Sequence, residues 1–130
     1  MTVQTINPAG FGPALFPYSQ GTKASGELIF VAGQIGLNPD NTVVAPGDSY
    51  EQGKALIERM RIILAEAGAT LQDVTAATVF YTAPEHATGF NKAWVEAFGD
   101  HRPARAAVIV GLVLEGAVVE VQAIAVKPRD

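Results

Sequence analysis

Two residues of opposite charge stand where chemistry could use them. Glu120 lies within Val118-Val-Glu-Val-Gln-Ala-Ile-Ala125, a run apolar except for itself and Gln122. Taking a carboxylate out of water costs several kcal/mol unless something pairs with it. Glu120 therefore either faces water from an edge strand or is held in a pocket. Arg105, in Arg102-Pro-Ala-Arg-Ala-Ala-Val108, opens the extended run before it. Pro103 stiffens the approach, and a guanidinium at a strand mouth can offer two parallel donors to a carboxylate. A lone arginine in a loop is more often simply solvated. The pair strengthens both functional readings, because an acid and a guanidinium on neighbouring strands can meet at one pocket. Such a pair could hold a carboxylate at the guanidinium beside one acid of perturbed pKa.

Other residues are weaker signals. Pro17-Tyr-Ser-Gln-Gly21 offers the Tyr18 hydroxyl from a loop fixed by Pro and Gly, or is plain turn. Ala32-Gly33-Gln34 interrupts an apolar run with glycine, which suits a ligand near the backbone or merely a bulge. Asn91 faces either a pocket or solvent, and periodicity does not decide. His86 and His101 are the only histidines, with no carboxylate at ligand spacing, so metal binding is a poor reading and surface histidines the better one. The chain has no cysteine, which removes disulfides, thiolate nucleophiles and Cys-ligated zinc. No Gly-rich phosphate loop or serine nucleophile elbow is present.

The elements that must position these groups are legible from periodicity. A short strand at Val3–Ile6 precedes a Pro/Gly-rich loop, and the apolar run 27–35 predicts a strand buried on both faces. Ser49-Tyr-Glu-Gln52 fits a capping box opening a helix with Leu56, Met60, Ile63, Leu64 and Ala67 on one stripe, ended by Gly68. Asp73–Ala83 reads as a strand. A second helix opens at Thr82 and Pro84, buries Phe90, Trp94, Ala97 and Phe98, and stops at Gly99. Two further strands, 106–114 and 117–126, are joined by Glu115-Gly116 at hairpin spacing. The order β-β-α-β-α-β-β gives one α+β domain over 1–130, two helices packed on one sheet face.

Composition bounds the rest. Of 130 residues, 48% are hydrophobic before the 13 glycines are counted, and only 17% are charged, which excludes global disorder. So apolar a small chain must share surface with copies of itself, and a homo-oligomer is expected. The net charge of −4 argues against a surface built for nucleic acid. The N-terminal MTVQTINPAGFG has no signal-peptide pattern and no run reaches membrane length, so a cytoplasmic, membrane-free protein is expected.

Taken in order, PYSQG (17–21), VAGQI (31–35), LAEAG (64–68), DVTAATVFYT (73–82), FNKAW (90–94), RPAR (102–105) and VVEVQAIAV (118–126) closely resemble the reactive-intermediate deaminase (Rid/YjgF) family. The same family carries the older label of L-PSP endoribonuclease. The resemblance implies a chorismate-mutase-like fold and a homotrimer with a central sheet barrel and clefts between subunits. It also implies cofactor-free, metal-free hydrolysis of enamine/imine acids such as 2-aminoacrylate and 2-iminopropanoate to 2-oxo acids and ammonia. Carried across residue by residue, the carboxylate-binding arginine is Arg105 and the water-handling acid is Glu120. Tyr18, Gly33 and Asn91 take the family's substrate-binding positions. This chain departs from the family at Ala32, where a serine is usual, and at Ala107, often a cysteine, which leaves only its backbone amide. Val113-Leu114 and Arg59 stand where Leu-Pro and a helix asparagine are usual. These changes bear on the substrate more than on the chemistry, since the arginine and the acid both remain, and suggest a side branch of the family. Two other readings remain, a non-catalytic trimer that senses a small carboxylate and an endoribonuclease; the acidic composition weakens the second.

Overall fold

The computed structural model describes residues 3–129. Its elements are β1 (Gln4–Ile6), β2 (Gly21–Lys23), β3 (Glu27–Ile35), α1 (Ser49–Glu66), β4 (Val74–Tyr81), α2 (His86–Phe98), β5 (Ala104–Ile109) and β6 (Val119–Lys127). β1 and β2 form an antiparallel ribbon; the main sheet has the order β3-β6-β4-β5. Both helices lie on one face of this sheet, so the architecture is α+β as expected. Among the described residues no helix is long and apolar enough to cross a membrane.

The sheet order corrects the expected hairpin. β5 does not pair with β6: it runs parallel to β4, while β6 lies antiparallel between β3 and β4. The physical reason is that β4-α2-β5 is a crossover unit, in which the helix carries the chain back to start a parallel neighbour. β6 alternates buried Val119, Val121, Ala123 and Ala125 and takes the central position, whereas β5 ends in four exposed residues and forms an edge. Glu115-Gly116 is thus a turn in a longer loop.

Local chemistry explains the other boundaries. Asp48, not Ser49, caps α1, accepting from the amides of Tyr50 and Glu51 at 3.1 and 3.0 Å. Gln52 does not reach back to close a box. It is fully buried, donates from Nε2 to the carbonyls of Ala45 and Gly116 (3.1 and 2.9 Å), and accepts from the Val118 amide at 2.9 Å. A capping box does form elsewhere, at Thr70 and Asp73 ahead of β4. Gly68, at φ +75°, ends α1, with the Ala69 amide returning to Leu64. α2 begins later than expected, at His86, because residues 83–85 close two turns of their own. Ala93, not Ala97, completes its buried face with Phe90, Trp94 and Phe98.

Gln52 pins two loops to the helix; Gln52→Leu should strand the buried Val118 amide, while the Ala45 and Gly116 carbonyls keep their bonds from the Asp48 and Gly47 amides. One unsatisfied buried donor costs about 1–3 kcal/mol, which should lower Tm by roughly 5–10 °C. Thermal unfolding at fixed protein concentration checks this, and an unchanged Tm would show that the loops stand without it.

The core lies between helices and sheet, with Leu56, Met60, Leu64, Val79, Phe90, Trp94, Val119 and Val121 among its members. The other sheet face has no helix over it. β3 is accordingly not buried on both faces: Leu28 and Phe30 are 61% and 70% exposed. Ile124 on β6 and Val108 on β5 extend this open apolar face.

Candidate active site

Arg105 is built into the helix side of the sheet edge. It stands opposite Ala77 on β4, whose small side chain leaves room for the arginine to lie under α2. Its guanidinium carbon is 5.0 Å from the Trp94 ring centre and 6.0 Å from that of Phe90. Nη2 donates to Asn91 Oδ1 at 2.6 Å, and Nη1 is buried with no hydrogen-bond partner. Among the described residues no carboxylate is paired with it. Burial pushes the Arg105 guanidinium below its ordinary pKa, yet arginine starts so high that it stays charged at neutral pH. A half-buried cation held by a neutral amide and an indole face, with a donor left over, is set up for an anion.

The surroundings of Arg105 come from the Pro17–Gly21 loop and from β5. Ser19 joins the outer edge of β5, its amide donating to the Pro103 carbonyl at 3.2 Å. Tyr18, Ser19, Gln20, Ala104, Arg105 and Ala106 line a cleft of about 400 Å³. On β5 the Val110 amide donates to Tyr81 of β4 while the Pro103 carbonyl faces outwards. By alternation the Ala107 N–H also points to the free edge, on the same side as Arg105's own. The Tyr81 hydroxyl is buried without a partner within electrostatic reach of Arg105, and burial raises its pKa, so it remains a donor at neutral pH.

Glu120 stands elsewhere. It pairs in register with Phe80 on β4 and Ile35 on β3, on the face opposite the helices. Together with Phe80, Val110, Gly111, Leu112 and Val113 it lines a cavity of about 240 Å³. Its carboxylate leans over Gly33: a Cβ there would overlap Glu120 Oε2 and lie 3.0 Å from Cδ. Gly33 and Ala32 form a bulge in β3 opposite Gln122, and both are exposed. Gly33 has no positive φ, so the position wants space rather than conformational freedom.

The expectation that Arg105 and Glu120 sit on neighbouring strands and meet within the chain is therefore corrected. β4 separates them, and they project from opposite sheet faces. Their rungs lie two strands apart and three residues along, on the order of 14 Å between Cα atoms. The candidate residues fall into two groups: Tyr18, Asn91, Arg105 and Ala107 at the β5 edge, and Ala32, Gly33 and Glu120 at the β3 bulge. Asn91, left open by periodicity, points at the guanidinium, three residues before Trp94 on the same side of α2. Sequence reading missed Tyr81, which looked like one more strand aromatic. The other correction concerns His101: it is buried, and its Nε2 lies 2.7 Å from the Val74 carbonyl, so it is a structural residue.

Because Glu120 Oε2 is the mobile end of its side chain, Gly33→Ala should fold normally and displace the carboxylate. An unchanged Tm with activity reduced about tenfold or more is expected from thermal unfolding and steady-state kinetics together. Unimpaired activity would mean the seat over Gly33 is irrelevant.

Comparison with known proteins agrees with this architecture. Residues 12–127 match the family described as Endoribonuclease L-PSP. A RutC family protein of Pyrococcus abyssi is 42% identical over 85% of this chain and 87% of its own length. The 3-aminoacrylate deaminase RutC of Acinetobacter baylyi is 36% identical over 96% of this chain and 98% of its own. Among solved structures, the Rid family protein YyfB of Yersinia pestis superposes with a TM-score of 0.85 at 25% identity, covering 98% of this chain and 100% of that one. RidA of an Antarctic Psychrobacter gives 0.71 at 31%, covering 95% and 99%. With a family match over most of its length and relatives of this identity, the chain belongs to the Rid/YjgF/L-PSP family.

Proposed function

We propose that the protein is a cofactor-free deaminase that hydrolyses small enamine and imine acids, of the 2-aminoacrylate/2-iminopropanoate type, to 2-oxo acids and ammonia. The observation that carries this reading is Arg105, a half-buried guanidinium held by Asn91 and Trp94, with one donor unpartnered and, among the described residues, no acid to neutralise it. A substrate carboxylate supplies what is lacking. Arg105 holds that carboxylate, and the outward Ala107 amide helps orient it. Glu120 takes a proton from water as the oxygen adds to the imine carbon. The nitrogen, protonated in turn, leaves as ammonia, and the carbon keeps its oxygen as the new carbonyl. Metal chemistry is not required, because the C=N carbon is electrophilic already.

Since the two groups project from opposite faces of one sheet, one chain does not complete the site. A homotrimer in which the β5 edge of one copy meets the β3 bulge of the next brings them together. The open apolar face around Leu28, Phe30, Ile124 and Val108 gives such an assembly its driving force. The name of the Acinetobacter relative adds 3-aminoacrylate as a substrate to try. The family's endoribonuclease label gains less support: the net charge is −4, and one of the two histidines is committed to the Val74 carbonyl.

The test is imine lifetime. Iminopropanoate generated in situ should disappear faster in proportion to added protein, with ammonia and 2-oxo acid appearing together. Binding of a 2-oxo acid with no effect on imine lifetime would make the protein a carboxylate-binding module instead. Strong, salt-dependent RNA binding would favour the ribonuclease reading.

A further inference from the structure

We infer that Gln34, braced by Arg59 of α1, is a positioning residue that locks the Ala32-Gly33 bulge and so fixes the seat of Glu120; this rests on the deaminase reading above. The bulge places two residues of β3 against one of β6 between the pairs Val31–Ala123 and Gln34–Val121. One consequence is that a polar side chain, Gln34, is turned onto the helix-facing rung of Val121, where it is only 9% exposed. A buried amide needs its donors and acceptors satisfied, and here both ends are used. Nε2 donates to the Ala32 carbonyl at 3.1 Å, and Oε1 accepts from Arg59 Nε at 3.1 Å. The orientation is self-consistent, because an arginine only donates and a carbonyl only accepts.

The amide therefore pulls the Ala32 carbonyl towards the helix side from within its own strand. The following peptide, with the side-chain-free Gly33 under the Glu120 carboxylate, is held on the other side. Bulges gather where a strand must re-aim what it carries. Arg59 ties this one to a helix with a packed face, so the clamp does not depend on an edge strand alone.

Gln34→Glu separates the clamp from mere filling of space. The carboxylate keeps, and strengthens, the contact to Arg59, but faces the Ala32 carbonyl with an acceptor in place of the donor. Expected are an unchanged or raised Tm, faster amide exchange at Ala32 and Gly33 by NMR, and kcat lowered about tenfold or more with KM little altered. Arg59→Met should show the same pattern more weakly, and replaces Gln34→Glu if that variant fails to fold. Wild-type exchange, or faster exchange with unaltered kcat, overturns the positioning role. If the wild-type protein deaminates no imine, the functional reading falls, while amide exchange still decides whether the clamp exists.

Discussion

Arg105→Ala is expected to lower kcat/KM for imine hydrolysis by about 10²–10³-fold, the usual consequence of removing one side of a desolvated charge pair. The same substitution should not destabilise the protein through a lost ion pair, because among the described residues none forms one with the guanidinium. Arg105→Met sharpens this. Methionine fills much of the space against Trp94 and Phe90 and removes an unneutralised, half-buried charge, so Tm should hold or rise. Activity lost together with stability would assign Arg105 a structural role. Activity lost while stability is kept assigns it to the ligand. Arg105→Lys retains charge without the planar fork or the bond to Asn91 and should recover only part of the loss.

Glu120→Gln is expected to reduce kcat by about 10²–10⁴-fold, the range associated with a positioned proton-transfer group. KM should change little, since the carboxylate clamp lies in the other group of residues. Glutamine matches glutamate in shape and fits over Gly33, so folding should be preserved. Binding of a 2-oxo acid, followed by calorimetry, should be near wild type in Glu120→Gln and nearly absent in Arg105→Ala. The reverse result would exchange the two roles.

The sequence made some of this visible and hid the rest for physical reasons. Strand 27–35 was readable to the residue because it is a single β-branched and aromatic run. Most of the α1 stripe was readable because burial repeats at helical spacing at Leu56, Met60 and Leu64, with Ile63 half-buried; Ala67 is exposed and follows the helix. Strand adjacency was not, since pairing depends on partners distant in the chain. The turn signal at Glu115-Gly116 mimics a hairpin although β6 is drawn to the sheet centre by its own apolar alternation. That error hid the separation of Arg105 from Glu120. Individual candidates fared better than their geometry: both charged residues stand at cavities, and Asn91 touches Arg105. Tyr81 and Gln34 carried no local signal, because only tertiary packing reveals a buried hydroxyl without a partner or an amide turned inward by a bulge.

Subunit complementation tests most directly that the guanidinium of one copy works with the carboxylate of another. Arg105→Ala and Glu120→Gln chains, each nearly inactive alone, are co-expressed with different tags and mixed assemblies are purified. Every mixed trimer, whichever chain it holds twice, has both groups intact at one of its three interfaces, so roughly a third of wild-type activity should return. Mixed assemblies, verified by native mass, that stay as inactive as their parents would contradict the account.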